Sequence, residues 1–134
     1  MSFVTISPIW GFFYEKNLRN FVLSLHSGVD EHHNVFLLKR FVDAALQVGH
    51  QIDCIFLYQD GVYHANQNIQ LASDEFPLVE TWQSLHALNI PILLCVTAAE
   101  KRGIDIDNTG IFKVAGLAEF SMLAAKADKW VQFK

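Results

Sequence analysis

Phe21-Val22-Leu23-Ser24-Leu25, running directly into His26-Ser27-Gly28, is the stretch whose reading decides the fold. A short apolar run closed by a small-residue turn reads as a buried strand. Asp30 then caps a helix that runs to about Gly49. Along it Val35, Leu38, Phe41, Val42, Ala45 and Leu46 recur at helical spacing, and Gly49 is a natural terminator. Ile52 to Leu57 follows as a second strand.

The same alternation continues outward from that unit. Tyr58 to Leu71 reads as a polar loop. Ser73 and Asp74 open a second helix, with Leu78, Trp82 and Leu85 on one face, closing near Asn89 before Pro91. Pro77 fits it in the first turn, where a missing N–H does no harm. Ile90 to Val96 is the third strand. Thr97-Ala98-Ala99-Glu100 has the pattern of a capping box, so a short helix begins just after it. A loop from Gly103 to Gly110 carries several acids, a small-residue helix runs from about Ala115 to Ala127, and Trp130-Val131-Gln132-Phe133 makes a last strand. The expectation is a small three-layer α/β domain over residues 20–134. Its sheet is mainly parallel, with about four to five strands flanked by helices.

Residues 1–19 stand apart. Phe3-Val4-Thr5-Ile6 is an extra strand by composition, and Trp10, Phe12, Phe13 and Tyr14 crowd together. This extension is either a tail folded over its own domain or an arm that docks on a neighbouring subunit.

Composition narrows the function. With 51% hydrophobic and 18% charged residues in 134, the chain is no disordered tail. No apolar run is long enough to span a membrane. A net charge of -4 argues against direct nucleic-acid binding, which needs a basic surface. Eleven Phe and three Trp are more apolar bulk than a small core hides with ease, which points to an interface. Two cysteines cannot build a secreted-type disulfide framework, and no secretory signal is evident. The expected compartment is therefore the cytoplasm, with both thiols free.

In a parallel sheet, reactive groups gather at the carboxyl ends of the strands. That selects three loops: after His26, after Leu57, and at Cys95. Cys95 lies near the end of the third strand, just before a helix start, where unpaired N–H groups favour a thiolate. Lys101 and Arg102 add positive charge nearby. Cys54 sits mid-strand beside Asp53, with no such signal, and reads as a small buried hydrophobe. The segment Tyr58 to Asn66 is rich in binding groups and long for a connection. Six histidines include His26, His32 and His33, but no ligand spacing accompanies them, so no metal is expected. No GxSxG elbow supports a serine nucleophile.

Several fragments then recur in a fixed order: Tyr58-x-x-Gly61-Val62-Tyr63-x-Ala65-Asn66, Ala72-Ser73-Asp74-Glu75-Phe76, Trp82-Gln83-x-Leu85, Cys95-Val96-x-Ala98-Ala99, Arg102-Gly103, Gly116-Leu117-Ala118-Glu119 and Val131-Gln132-Phe133. Together they resemble the DsrE/TusD family of small sulfur-relay proteins, over about Asn20 to Phe133. The resemblance implies an oligomer with itself or with related DsrE-like subunits, often a hexamer of two heterotrimers. It implies one functional cysteine, which falls on Cys95. That cysteine carries sulfane sulfur as a persulfide between small carrier proteins, toward tRNA 2-thiouridine synthesis or dissimilatory sulfur metabolism, without a cofactor. The first loop, His26 to His33, departs from the family's richer Gly and Pro content, and residues 1–19 are additional. Two rival readings are a non-catalytic interaction subunit of such an assembly and a small-molecule-binding α/β domain using the strand-end crevice.

Overall fold

Five short runs of the chain lie side by side and parallel: β3 (Asn20–Leu25), β4 (Gln51–Leu57), β5 (Ile92–Cys95), β6 (Lys113–Ala115) and β7 (Lys129–Phe133), in the order β6-β5-β4-β3-β7. The computed structural model describes residues 18–134 and, ahead of them, the backbone of β1 (Val4–Thr5) and β2 (Phe13–Tyr14), which pair antiparallel. Trp10, Phe12 and the side chains of Phe13 and Tyr14, and with them the expected docking arm, lie outside the described residues.

β3, β4 and β5 are almost continuously buried, because helices cover both faces of a parallel sheet. The helices are α1 (His32–Gln47), α2 (Leu78–His86), α3 (Val96–Lys101) and α4 (Leu117–Lys126). The chain steps outward from β3 through β4 and β5 to β6, then returns past β3 to lay down β7. Right-handed crossovers put α1 to α3 on one face, so the reversed step carries α4 to the other. There Phe120 of α4 lies on Phe56 of β4, ring centroids 4.3 Å apart and planes 7° from parallel. The three layers match the expectation, with five strands in the main sheet.

Several boundaries differ from the sequence reading. Asp30 belongs to a 3-10 turn (Val29–Glu31), and α1 starts only at His32. α2 starts at Leu78, with Pro77 as its cap, because proline pushes the preceding residue out of helical backbone. Ser73 and Asp74 instead lie in a turn closed by Glu75 N–H to Ala72 O, 3.1 Å. Ala115 ends the edge strand β6, which at three residues is too short to leave a periodic signal.

The polar loop after β4 is the largest correction. Its first half, Gln59–Ala65, is a 3-10 helix that buries Gly61, Val62, His64 and Ala65 against the sheet. His64 ties this segment to its surroundings: Trp82 Nε1–H donates to Nδ1 at 3.4 Å, and Nε2–H donates to Ser27 O at 3.0 Å. That pattern assigns a neutral imidazole, and burial, only partly offset by the bonds to the loop backbone, holds its pKa down to about 4. An unfolded histidine titrates near 6.5. Stability is therefore full above that pH and lost as pH falls toward 4, by up to about 3 kcal/mol. Thermal melts across this window should show the slope in the wild type and a flatter one in His64→Gln.

Candidate active site

β5 and β6 end together, with Cys95 opposite Ala115 in the ladder. From these neighbouring ends the chain departs to opposite faces, through α3 from β5 and α4 from β6. Such a divergence leaves a crevice at the carboxyl edge of a parallel sheet. The crevice is present, a cleft of about 370 Å³ walled by Cys95, Thr97, Ala98, Lys101, Leu117 and, from beyond β4, Tyr58 and Gln59.

Cys95 is itself the cap residue of α3, with extended backbone (φ -65°, ψ 117°). The expected capping box is displaced: Thr97 already lies inside the helix, and no side chain caps its start. The thiol thus sits closer to the helix start than the sequence implied. α3 spans only six residues, however, so the cleft's own side chains matter more to a sulfur anion than the helix does. Cys95 is 1% exposed, and the cleft it lines is the opening the described residues offer it.

Of the two cations expected nearby, one is paired among the described residues and one is not. Arg102 Nε donates to Asp60 Oδ1 at 2.9 Å, and its Nη1 donates to Ala98 O at 3.2 Å. With Asp60 largely solvent-exposed, that ion pair adds little stability. Its effect is positional, holding the 3-10 segment against α3. Lys101 lines the cleft with no carboxylate in salt-bridge range among the described residues.

The three loops singled out by sequence meet here. His26 follows β3, and its Nδ1 lies 3.0 Å from Gln59 Oε1. Its Nε2 lies 2.9 Å from Ser24 Oγ, which also accepts Trp130 Nε1–H at 2.8 Å. Burial depresses the His26 pKa, against a raising contribution from the Gln59 bond, with the Lys134 charge lowering it further. Sequence reading named His26 and the Gln59 loop separately but missed their connection, and missed Ser24, Trp130 and Leu117. The connection depends on Gln59 adopting left-handed backbone (φ 51°), which nothing in the residue type announces. Ser24, His26, Phe56, Phe120 and Trp130 also wall a mainly apolar cavity of about 570 Å³, which shares Tyr58 and Leu117 with the Cys95 cleft.

Cys54 is fully buried in β4, where burial first and the Asp53 charge second push its thiol up to about 12. It stays protonated near neutrality. Among the described residues, no three His, Cys, Asp or Glu side chains cluster to hold a metal ion. No helix there is long and apolar enough to cross a membrane.

Fold and cleft together define a small α/β protein with one of its two thiols lining a cleft at the carboxyl edge of its sheet. The model of the DsrE/DsrF-like family matches residues 20–133, and the chain belongs to that family. It is 37% identical over 107 residues to the protein named sulfurtransferase TusD of Klebsiella pneumoniae, spanning 70% of this chain and 84% of that one. A sulfurtransferase TusD homolog of Pasteurella multocida is 38% identical over 107 residues, 72% of this chain and 85% of the relative. The crystal structure of the ychN protein from E. coli superposes with a TM-score of 0.71 at 21% identity, covering 87% of this chain and all of that one. A protein of unknown function from Methanobacterium thermoautotrophicum gives a TM-score of 0.66 at 14% identity over 85% of this chain and 98% of its own. These last two share the fold.

Proposed function

We infer that this protein is a sulfurtransferase of a sulfur-relay system, of the kind that serves tRNA thiouridine modification, and that Cys95 carries the sulfur. The observation that carries the second half is Cys95 lining the strand-end cleft beside Lys101, which has no carboxylate in salt-bridge range among the described residues, while Cys54 is sealed and protonated. The Cys95 thiolate attacks the outer sulfur of a donor persulfide, R–S–SH. The donor's S–S bond breaks, R–S⁻ leaves, and Cys95–S–SH forms. An acceptor thiolate then attacks the same outer sulfur, leaves as its own persulfide and returns Cys95 as thiolate. Electrons and protons balance, so neither step needs a metal or organic cofactor.

A relay of this kind needs a donor and an acceptor protein, each presenting a cysteine narrow enough to enter the cleft. Leu117, Met122 and Trp130 leave an exposed apolar surface on α4 and the edge strand β7, which suits contact with a second copy or a related subunit. Free thiols in such a cycle require a reducing compartment, which favours the cytoplasm.

Burial of Cys95 favours one rival, an interaction subunit whose thiol is inert. Intact mass after incubation with a small alkyl persulfide, followed by site-resolved alkylation with iodoacetamide, separates the two. The carrier gains the mass of one sulfur atom and loses it to an added thiol, and its Cys95 is alkylated in the native protein. No mass gain together with slow alkylation of Cys95 would establish the inert subunit.

A further inference from the structure

Trp130, Ser24, His26 and Gln59 form a hydrogen-bonded row that runs from the edge strand β7 across β3 to the wall of the Cys95 cleft. Its direction is set by its last member. Gln59 Oε1 can only accept, so His26 Nδ1 carries the proton and donates it. Burial lowers the His26 pKa and favours the neutral ring, whose Nε2 then accepts from the Ser24 hydroxyl. Ser24 Oγ in turn accepts the Trp130 indole Nε1–H, which only donates. With Oε1 taken, the Gln59 Nε2 protons are the free end of the row, and among the described residues nothing accepts them.

Two further observations single out this residue. Gln59 holds left-handed backbone, a conformation that costs a non-glycine residue on the order of 1 kcal/mol and that persists where surroundings over-determine it. Its exposed side chain shares the cleft wall with Cys95, yet no hydrogen bond joins its amide to the Cys95 sulfur. A side-chain amide on that wall with no bond to the thiol is free to meet a group that projects beyond it. A persulfide does so, since its outer sulfur extends the side chain by one S–S bond, about 2 Å.

We propose that Gln59 is a catalytic residue of sulfur transfer, its side-chain amide donating to the outer sulfur carried by Cys95, with His26, Ser24 and Trp130 as positioning residues that aim it. This rests on the reading of Cys95 as the carrier. The bond is charge-assisted when the outer sulfur is anionic, and it forms only in the loaded state and the approach to it.

The test compares the full chain with Gln59→Met, which keeps length and removes the donor, and with Gln59→Glu, which keeps an acceptor for His26 but puts negative charge in the cleft. Both variants should melt with the wild type, since the side chain is exposed. Loading from a small alkyl persulfide, followed by intact mass, should slow about tenfold in Gln59→Met and further in Gln59→Glu. Iodoacetamide alkylation of the unloaded Cys95 should be unchanged in Gln59→Met, because no hydrogen bond joins the amide to that sulfur. Equal loading rates in Gln59→Met and wild type would overturn the proposal. So would a parallel fall in loading and alkylation, which marks general disturbance of the cleft. If the wild type itself takes up no sulfur, the carrier reading fails instead, and the two failures are told apart by that one control.

Discussion

Cys95→Ala is expected to lower sulfur uptake from a small persulfide to the level of a protein-free blank, while Cys54→Ala loads at the wild-type rate. The asymmetry follows from where the two sulfurs sit in one sheet. Cys54 is in the middle of β4, fully buried, with its thiol pushed up to about 12, so at neutral pH almost none of it is thiolate. Cys95 ends β5 and forms part of the wall of a cleft of about 370 Å³. Stability should not separate the variants as activity does. Each substitution removes one packed sulfur from the core cluster, at a cost of about 1 kcal/mol by comparison with other small core truncations. Two variants of similar stability and opposite activity would therefore separate chemistry from folding. Intact mass spectrometry with matched thermal melts supplies both numbers. Loading retained in Cys95→Ala and lost in Cys54→Ala would reverse the assignment.

The parts of this molecule that the sequence disclosed are those written in apolar periodicity. The α1 pattern from Val35 to Leu46 is long enough for its spacing to be unambiguous, Phe21–Leu25 and Ile52–Leu57 are apolar runs whose short length and flanking turns mark strands, and each is where the reading put it. The strand end near Cys95 was legible to within one residue, since an apolar run followed at once by a capping pattern marks it. What stayed hidden has no local spelling. β6 is three residues held by its neighbour β5, and only the ladder reveals it. The segment Gln59–Ala65 looks polar because Gln59, Asp60 and Tyr63 face outward, yet Val62, His64 and Ala65 are buried on a 3-10 pitch that sequence templates for helix and strand both miss. The row from Trp130 to Gln59 joins residues 71 positions apart in the chain, and no windowed reading could assemble it.

Gly61→Ala should be among the most damaging single-methyl changes available to this fold. A Cβ built on Gly61 would lie 2.2 Å from the carbonyl oxygen of Leu25 and 3.0 Å from its carbon. Both are backbone atoms at the end of β3, where Leu25 O also accepts Tyr58 N–H at 3.0 Å, so neither partner has a rotamer with which to retreat. The requirement for glycine is one of close approach. Relief demands that the whole 3-10 segment lift away from the sheet, stretching the His64 bond to Ser27 O and the Asp60 bond to Arg102. Overpacking of this kind costs about 3 kcal/mol, a fall in Tm of roughly 10 °C for a domain of this size. Gly28 is the internal control. The nearest atom to its built Cβ is Asp60 O at 3.7 Å, ordinary contact, and its backbone is extended. Gly28→Ala should therefore melt within a few degrees of the wild type, even though it lies in the neighbouring loop. Since Tyr58 and Gln59 enter the cleft from the same segment, Gly61→Ala should also slow sulfur loading on Cys95 while leaving the thiol in place. Equal melting temperatures for the two alanine variants would mean that the 3-10 segment moves freely over β3, and the cleft would then lose the fixed wall on which its chemistry depends.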